Sequence, residues 1–277
     1  MSISKGLRRS PRMTIVVVAA VVCAVVAAVA YGATVPAIQT TTPNHADQVT
    51  NIDVLRQQIR NYYGDPMGTG VFSPDSNYAQ EAASVAAQGG SWLQARAHAN
   101  DGAKTKAIVL DVDDTTLVTW NYELASNWAY DATKNAAYVN GELFPAVPGM
   151  VDMVNRAKAE GYAVIFLTGR PTTQEATTLG NLTDSDTIGL DAGYPTPDLI
   201  FTKPATADYP PYLQTACADM VALGKSCTTI EYKSATRSYI ETLGYDIVAN
   251  FGDQYSDFTG GYADKTFKLP NPNYYLP

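Results

Sequence analysis

From Lys106 onward, short apolar runs alternate with longer stretches whose apolar residues recur at helical spacing. Ala107 to Leu110, Ala163 to Leu167, Asp198 to Thr202 and Asp246 to Asn250 read as strands. Met150 to Glu160, Thr173 to Leu179 and Ala235 to Leu243 read as the helices that connect them. This alternation predicts an α/β fold, a parallel sheet with helices on its faces and right-handed crossovers. In such a sheet a ligand binds at the carboxyl ends of the strands, so the residues that follow each strand carry the functional information.

The first hundred residues follow another pattern. Asn51 to Tyr63 and Asn77 to Ala99 carry Ala, Gln, Leu and Arg at amphipathic spacing, interrupted by a loop rich in Pro and Gly. They predict an N-terminal helical segment over 50–104, ahead of the α/β domain at 105–277. Residues 34–49 have few core-forming side chains and read as a linker. Before them, Lys5, Arg8, Arg9 and Arg12 precede an apolar run from Ile15 to Ala30. This is the pattern of an export segment over 1–33, either cleaved near Ala28-Val29-Ala30 or retained as a membrane anchor. In both cases the positive flank puts the body of the protein outside the cytoplasm, secreted or anchored.

Charge narrows the partner classes. The first 30 residues hold four of the 19 basic residues and none of the 27 acidic ones, which leaves 15 minus 27, or −12, for the rest. A nucleic-acid backbone is therefore excluded as the main partner, because neutralising phosphates requires clustered Lys and Arg. The 46% hydrophobic content suits a globular core, and the acidic surface reads as a solubilising coat.

The strand ends concentrate particular chemistry. Asp111, Asp113, Asp114 and Thr115 follow the first run, and Thr168-Gly169-Arg170 follow the second. Lys233 opens the helix before the last predicted strand, which ends in Gly252-Asp253-Gln254-Tyr255-Ser256-Asp257. Carboxylates crowded in this way repel unless a cation or a reaction holds them together. Asp111 and Asp253 supply the oxygen ligands a hard dication requires, while Thr168 and Lys233 supply donors to a phosphoryl group. A carboxylate nucleophile also allows an aspartyl phosphate, which divides one difficult displacement into two.

In this order, DVDDT, FLTGR, EYKS and FGDQYSD resemble the four motifs of the haloacid dehalogenase superfamily. More narrowly, TGRP, EYKS and GDQxSD are similar to its subfamily IIIB, the acid phosphatases that include class B enzymes and vegetative storage proteins. The resemblance covers about Lys106 to Gly261. It implies a Rossmann-like domain and a Mg²⁺-dependent phosphomonoesterase acting on small phosphomonoesters, while the expectation of export rests on the N-terminal pattern. By the same resemblance Asp111 is the nucleophile and a metal ligand. Asp113 is the general acid and base, with its carbonyl on the metal. Thr168, Gly169 and Lys233 hold the phosphoryl group, Asp253 is a metal ligand, and Asp257 binds the metal through water or braces a ligand.

Other readings stay beside it. A phosphotransferase would use the same intermediate with an alcohol in place of water, and a storage or binding protein on the same scaffold would lose the catalytic set, its nucleophile above all. Arg170 is either a structural ion-pair partner or a substrate contact. Lys203, also after a strand, competes with Lys233, which motif order favours. Residues 118–147 are long enough for a small helical cap, whose Trp120, Tyr122, Trp128, Tyr130 and Tyr138 either pack it or stack on substrate. With only His45 and His98, both in the N-terminal segment, the chain lacks the paired histidines of a histidine phosphatase. Cys217 and Cys227 lack the Arg six positions later that a cysteine phosphatase needs. In an oxidising compartment they are expected to pair as a disulfide, with two free thiols as the alternative.

Overall fold

The computed structural model describes residues 42–98, 102–183 and 188–276. The expected export segment and residues 34–41 of the linker lie outside them. Among the described residues no helix is long and apolar enough to cross a membrane.

In chain order the elements are α1 (Ile52–Tyr62), α2 (Asn77–Ala97), β1 (Thr105–Leu110), α3 (Trp120–Ser126), α4 (Ala132–Asn140), α5 (Met150–Ala159) and β2 (Ala163–Pro171). They continue with α6 (Glu175–Thr183), β3 (Leu199–Lys203), α7 (Pro211–Ala216), α8 (Ala218–Ala222), α9 (Thr229–Thr242), β4 (Tyr245–Gly252) and β5 (Thr266–Lys268). The strands form one parallel sheet in the order β3-β2-β1-β4-β5. β1 is central, and successive strands leave it in opposite directions, which opens a crevice at its carboxyl end.

Both faces of the sheet are covered, which is why its strands read as unbroken apolar runs. Ile108 and Leu110 of β1 and Val164 and Phe166 of β2 face a core shared with Ile59, Tyr63, Tyr78, Leu93, Met153 and Val154. Ala107, Val109, Ile165 and Leu167 face the other way, against Leu213, Tyr232 and Ile240. The N-terminal helices α1 and α2 therefore belong to the main core. Gly89 allows α2 to approach the sheet closely, since a Cβ there would lie 2.5 Å from the Phe251 ring.

Three sequence expectations need correction. The sheet has five strands: β5 escapes notice because it spans three residues and only Phe267 turns inward, onto Phe251 at 4.9 Å between ring centroids. β2 continues through Thr168-Gly169-Arg170 to Pro171 with a shift of register against β3, so these residues form the irregular end of the strand and do not follow it. Finally, α9 starts six residues before the expected Ala235, which puts Lys233 inside the helix and not at its opening. A capping box explains the start. Thr228 Oγ1 accepts from the Glu231 amide at 3.1 Å, and the Thr228 amide donates to Glu231 Oε2 at 2.8 Å.

Candidate active site

The loops after β1 and β4 and the irregular end of β2 meet at the crevice. Register places Leu110 beside Phe166 and Phe251, so Asp111, Thr168 and Asp253 come from adjoining strand ends. Asp111, Asp253 and Asp257 are all buried, and each can offer one oxygen with the three lying within 4.8 Å of one another.

Lys233 reaches this cluster from α9. Its Nζ donates to Asp111 Oδ1 at 2.6 Å and also to Asp257 Oδ1. Burial alone would lower the Lys233 pKa, but the charges of Asp111 and Asp257 outweigh it and hold the ammonium above its ordinary value. Burial drives Asp111 well above the usual carboxylate range, against the pull of Lys233 and with further upward pressure from Asp257, Asp253 and Asp113. Asp253 is pushed up to about 7, first by burial and then by Asp257 and Asp114. One ammonium thus faces three buried carboxylates. That donor set, all oxygen and in excess of its local positive charge, fits a hard divalent cation.

Asp257 is braced on both oxygens, because its Oδ2 accepts from the Gln254 amide at 2.9 Å while Oδ1 takes Lys233. Gly252 makes room for it, since a Cβ at that position would lie 2.4 Å from Asp257 Oδ2. The loop behind it hangs on Arg237 of α9, fully buried, which donates to the carbonyls of Asp257, Thr259 and Gly261.

Asp113 occupies the more open half of the site. Its carboxylate pairs with Arg170, Nη2 to Oδ1 at 2.7 Å and Nε to Oδ2 at 3.1 Å. Arg170 is in turn fixed by Thr178 Oγ1 at 3.1 Å and by the face of Phe144, 5.4 Å from its guanidinium carbon. Of the two readings for Arg170, the geometry realises the ion pair. Nearby, burial and then the Asp113 charge raise the Glu123 carboxyl to about 7.

The remaining residues take distinct places. Thr168 is fully buried and its Oγ1 accepts from the Arg170 amide at 3.1 Å, whereas Gly169 is exposed. Asp114 adopts a left-handed backbone (φ 52°) and accepts from the Thr119 amide at 3.0 Å, as a turn residue does. Thr115 ties the β1 loop to the β4 loop by donating to Asp253 Oδ1 at 3.2 Å. Lys203 turns away, donating to the Cys227 carbonyl at 2.8 Å, so Lys233 alone of the two lysines contacts Asp111. Cys217 and Cys227 are joined by a disulfide with 5.2 Å between their Cα atoms.

Helices α3 and α4 lie within residues 118–147. Trp120 stacks on Tyr63 at 4.3 Å and donates Nε1 to Asp65 Oδ2 at 3.1 Å, and Tyr122 is buried as well, so these two rings pack. Tyr130 is 79% exposed. Sequence reasoning passed over Arg237, the donor role of Gln254 and Asn271. The first had a visible signal, four residues after Lys233 on the same helix face. Asn271 had none.

The tomato (Solanum lycopersicum) acid phosphatase 1 is 28% identical to this chain over 172 residues, 61% of the chain and 58% of that protein. The soybean (Glycine max) stem 28 kDa glycoprotein is 31% identical over 175 residues, 61% of the chain and 59% of that protein. Vegetative storage protein 1 of Arabidopsis thaliana is 27% identical over 173 residues, 61% of the chain and 55% of that protein. The chain thus spans rather more than half the length of these curated relatives. The fold is similar to that of a crystal structure of the class C acid phosphatase from Bacillus anthracis with tungstate bound. That likeness has a TM-score of 0.53 and 21% identity over 80% of this chain and 86% of that one. Residues 25–277 match the model of the HAD superfamily, subfamily IIIB (acid phosphatase), and the chain belongs to that family.

Proposed function

We propose that the protein is an exported phosphomonoesterase that uses a divalent cation, Mg²⁺ by preference, and an aspartyl-phosphate intermediate. The observation that carries this reading is the buried contact of Lys233 with Asp111 inside a three-carboxylate cluster. Asp111, Asp253 and the Asp113 carbonyl would hold the cation, and Asp257 would brace Lys233 and the β4 loop. When bound, the cation offsets the negative charge of the carboxylates and of the phosphate, which lets the two approach.

Asp111 attacks the phosphorus atom through a carboxylate oxygen. The phosphorus–ester oxygen bond breaks, and the departing alkoxide takes a proton from the Asp113 carboxyl. Asp113 then accepts a proton from water as the water oxygen displaces Asp111, releasing inorganic phosphate and restoring both groups. The Thr168 hydroxyl, the Gly169 amide and Lys233 donate to the equatorial oxygens of the transferring group. Arg170 holds the Asp113 carboxylate on the open side of the site, and this pair has to loosen when Asp113 carries a proton. The expectation of export comes from the basic and apolar pattern of residues 1–33.

Turnover of small phosphomonoesters by the purified chain, lost in chelator and regained with Mg²⁺, is the expected result. Full activity in excess chelator would remove the metal from the reading. The names of the storage-protein relatives motivate a second reading, a non-catalytic storage protein, and absence of turnover on a broad phosphomonoester panel would favour it. Transfer of phosphate to an added alcohol, measured against release of free phosphate, separates phosphotransferase from hydrolase.

A further inference from the structure

The segment that follows β5 joins the carboxylate cluster. It enters beside the β4 loop, where the Leu269 amide donates to the Gly252 carbonyl at 2.8 Å. Asn271 Nδ2 then donates to Asp253 Oδ2 at 2.7 Å, and Gln254 Nε2 donates to the same oxygen at 2.7 Å. A carboxamide can present either end to a neighbour, so the partner of its oxygen decides which way it faces. Here the segment supplies both partners. The Asn273 amide donates to Asn271 Oδ1 at 2.8 Å, and the Leu276 amide donates to Gln254 Oε1 at 3.1 Å. Each side-chain oxygen is engaged by a backbone N–H, which turns each NH₂ to Asp253 as its shorter contact; at 3.4 Å the Asn271 NH₂ also meets Asp114 Oδ2 and the Gln254 NH₂ the Tyr274 carbonyl.

Asp253 is consequently held from behind by two neutral donors on Oδ2, while Oδ1 carries the Thr115 hydroxyl. An uncharged donor suits this position: it restrains a buried carboxylate without neutralising the negative charge that a bound cation would balance. The segment is anchored independently by Asn273, which donates to Tyr63 Oη at 2.9 Å and accepts from Trp128 Nε1 at 3.2 Å. Its Tyr274 lies in the field of the site as well. Burial, followed by the charges of Asp253, Asp114, Asp113 and Asp111, keeps the phenol well above its ordinary pKa.

We propose that Asn271 is a positioning residue for Asp253, so that residues 269–276 form part of the divalent-cation site. This rests on the reading above that Asp253 is a metal ligand. Groups that orient a ligand in this way commonly account for about 10–100-fold in metal affinity.

The test is calorimetric titration of the full chain with Mg²⁺ alone, comparing wild type, Asn271→Ala and Asn273→Ala, with a metal-free melting curve for each. Asn271→Ala is expected to weaken Mg²⁺ binding by about 10–100-fold. The Mg²⁺ concentration for half-maximal turnover should shift by a similar factor. Asn273→Ala, which loosens the segment without touching Asp253, is expected to lower the melting temperature and to affect Mg²⁺ affinity much less. Asn271→Asp should bind Mg²⁺ with a steeper dependence on ionic strength, because it adds a fourth carboxylate. A Mg²⁺ affinity in Asn271→Ala within about twofold of wild type overturns the inference while the phosphatase reading stands. An equal loss in Asn273→Ala overturns it too, since order in the segment would then matter and Asn271 itself would not. Absence of Mg²⁺ binding by the wild-type chain overturns both readings together.

Discussion

The two halves of the crevice handle negative charge differently. On one side, Asp111, Asp253 and Asp257 are buried around a single ammonium, and the two that Lys233 does not saturate through hydrogen bonds alone are braced by amides and a hydroxyl. On the other, Asp113 is partly open to solvent and answers to one bidentate arginine. A buried carboxylate cluster is costly without a counter-charge, so its members can hardly move or titrate independently. An ion pair at the mouth can open and exchange protons with substrate and water. The contrast matches the division of labour in the proposed reaction, with a fixed electrostatic floor and a proton carrier at the rim.

Substitutions on the two sides sharpen that contrast. Asp111→Asn should reduce kcat by several orders of magnitude for every phosphomonoester, whatever its leaving group, because the reaction path itself is removed. Near-normal turnover would place the chemistry elsewhere. Asp113→Asn should cost on the order of 10²-fold or more for alkyl phosphates and much less for nitrophenyl phosphate, whose leaving group needs no protonation. Equal losses on both would withdraw the proton-carrier role and erase the difference between the halves.

Two smaller effects probe how α9 presents Lys233 to the buried half. Replacing Cys217 and Cys227 together by serine should lower stability by about 3 kcal/mol in the chain-entropy picture. Turnover should change little, because the capping box holds the start of the helix independently of the bridge. A collapse of kcat at temperatures where the variant remains folded would show that the bridge itself sets the lysine. Thr228→Ala removes one capping acceptor and should cost about 1 kcal/mol, visible as a small fall in melting temperature. No change at all would mean that the Glu231 side chain alone is enough to cap the helix.

Much of this architecture was legible before folding. The apolar runs identified four of five strands because a sheet covered on both faces leaves a continuous hydrophobic signature. The chemistry-bearing residues were equally visible, since Asp111, Thr168 and Asp253 depend on short local patterns at strand ends. Errors arose where local signals were weak or overruled. β5 is too short for periodicity to register, and the helical pattern of α9 was followed only from Ala235, although the Thr228/Glu231 capping box marked its true start.

What the sequence determined by itself, then, is the alternation of elements and the identity of the groups at the ends of β1, β2 and β4, because both are encoded within a few residues of one another. Tertiary structure decided the partnerships. Lys233 prevails over Lys203 because α9 crosses the sheet at Asp111, 122 positions away in sequence, while Lys203 is drawn to the Cys227 carbonyl. Arg170 became an ion-pair partner because Thr178 and Phe144 aim it at Asp113. Asn271, an ordinary residue in a Pro-rich stretch, reached Asp253 only because β5 returns the chain beside β4. A hydrogen bond or ion pair is a short-range interaction, and which groups come within its range is fixed by how the layers pack.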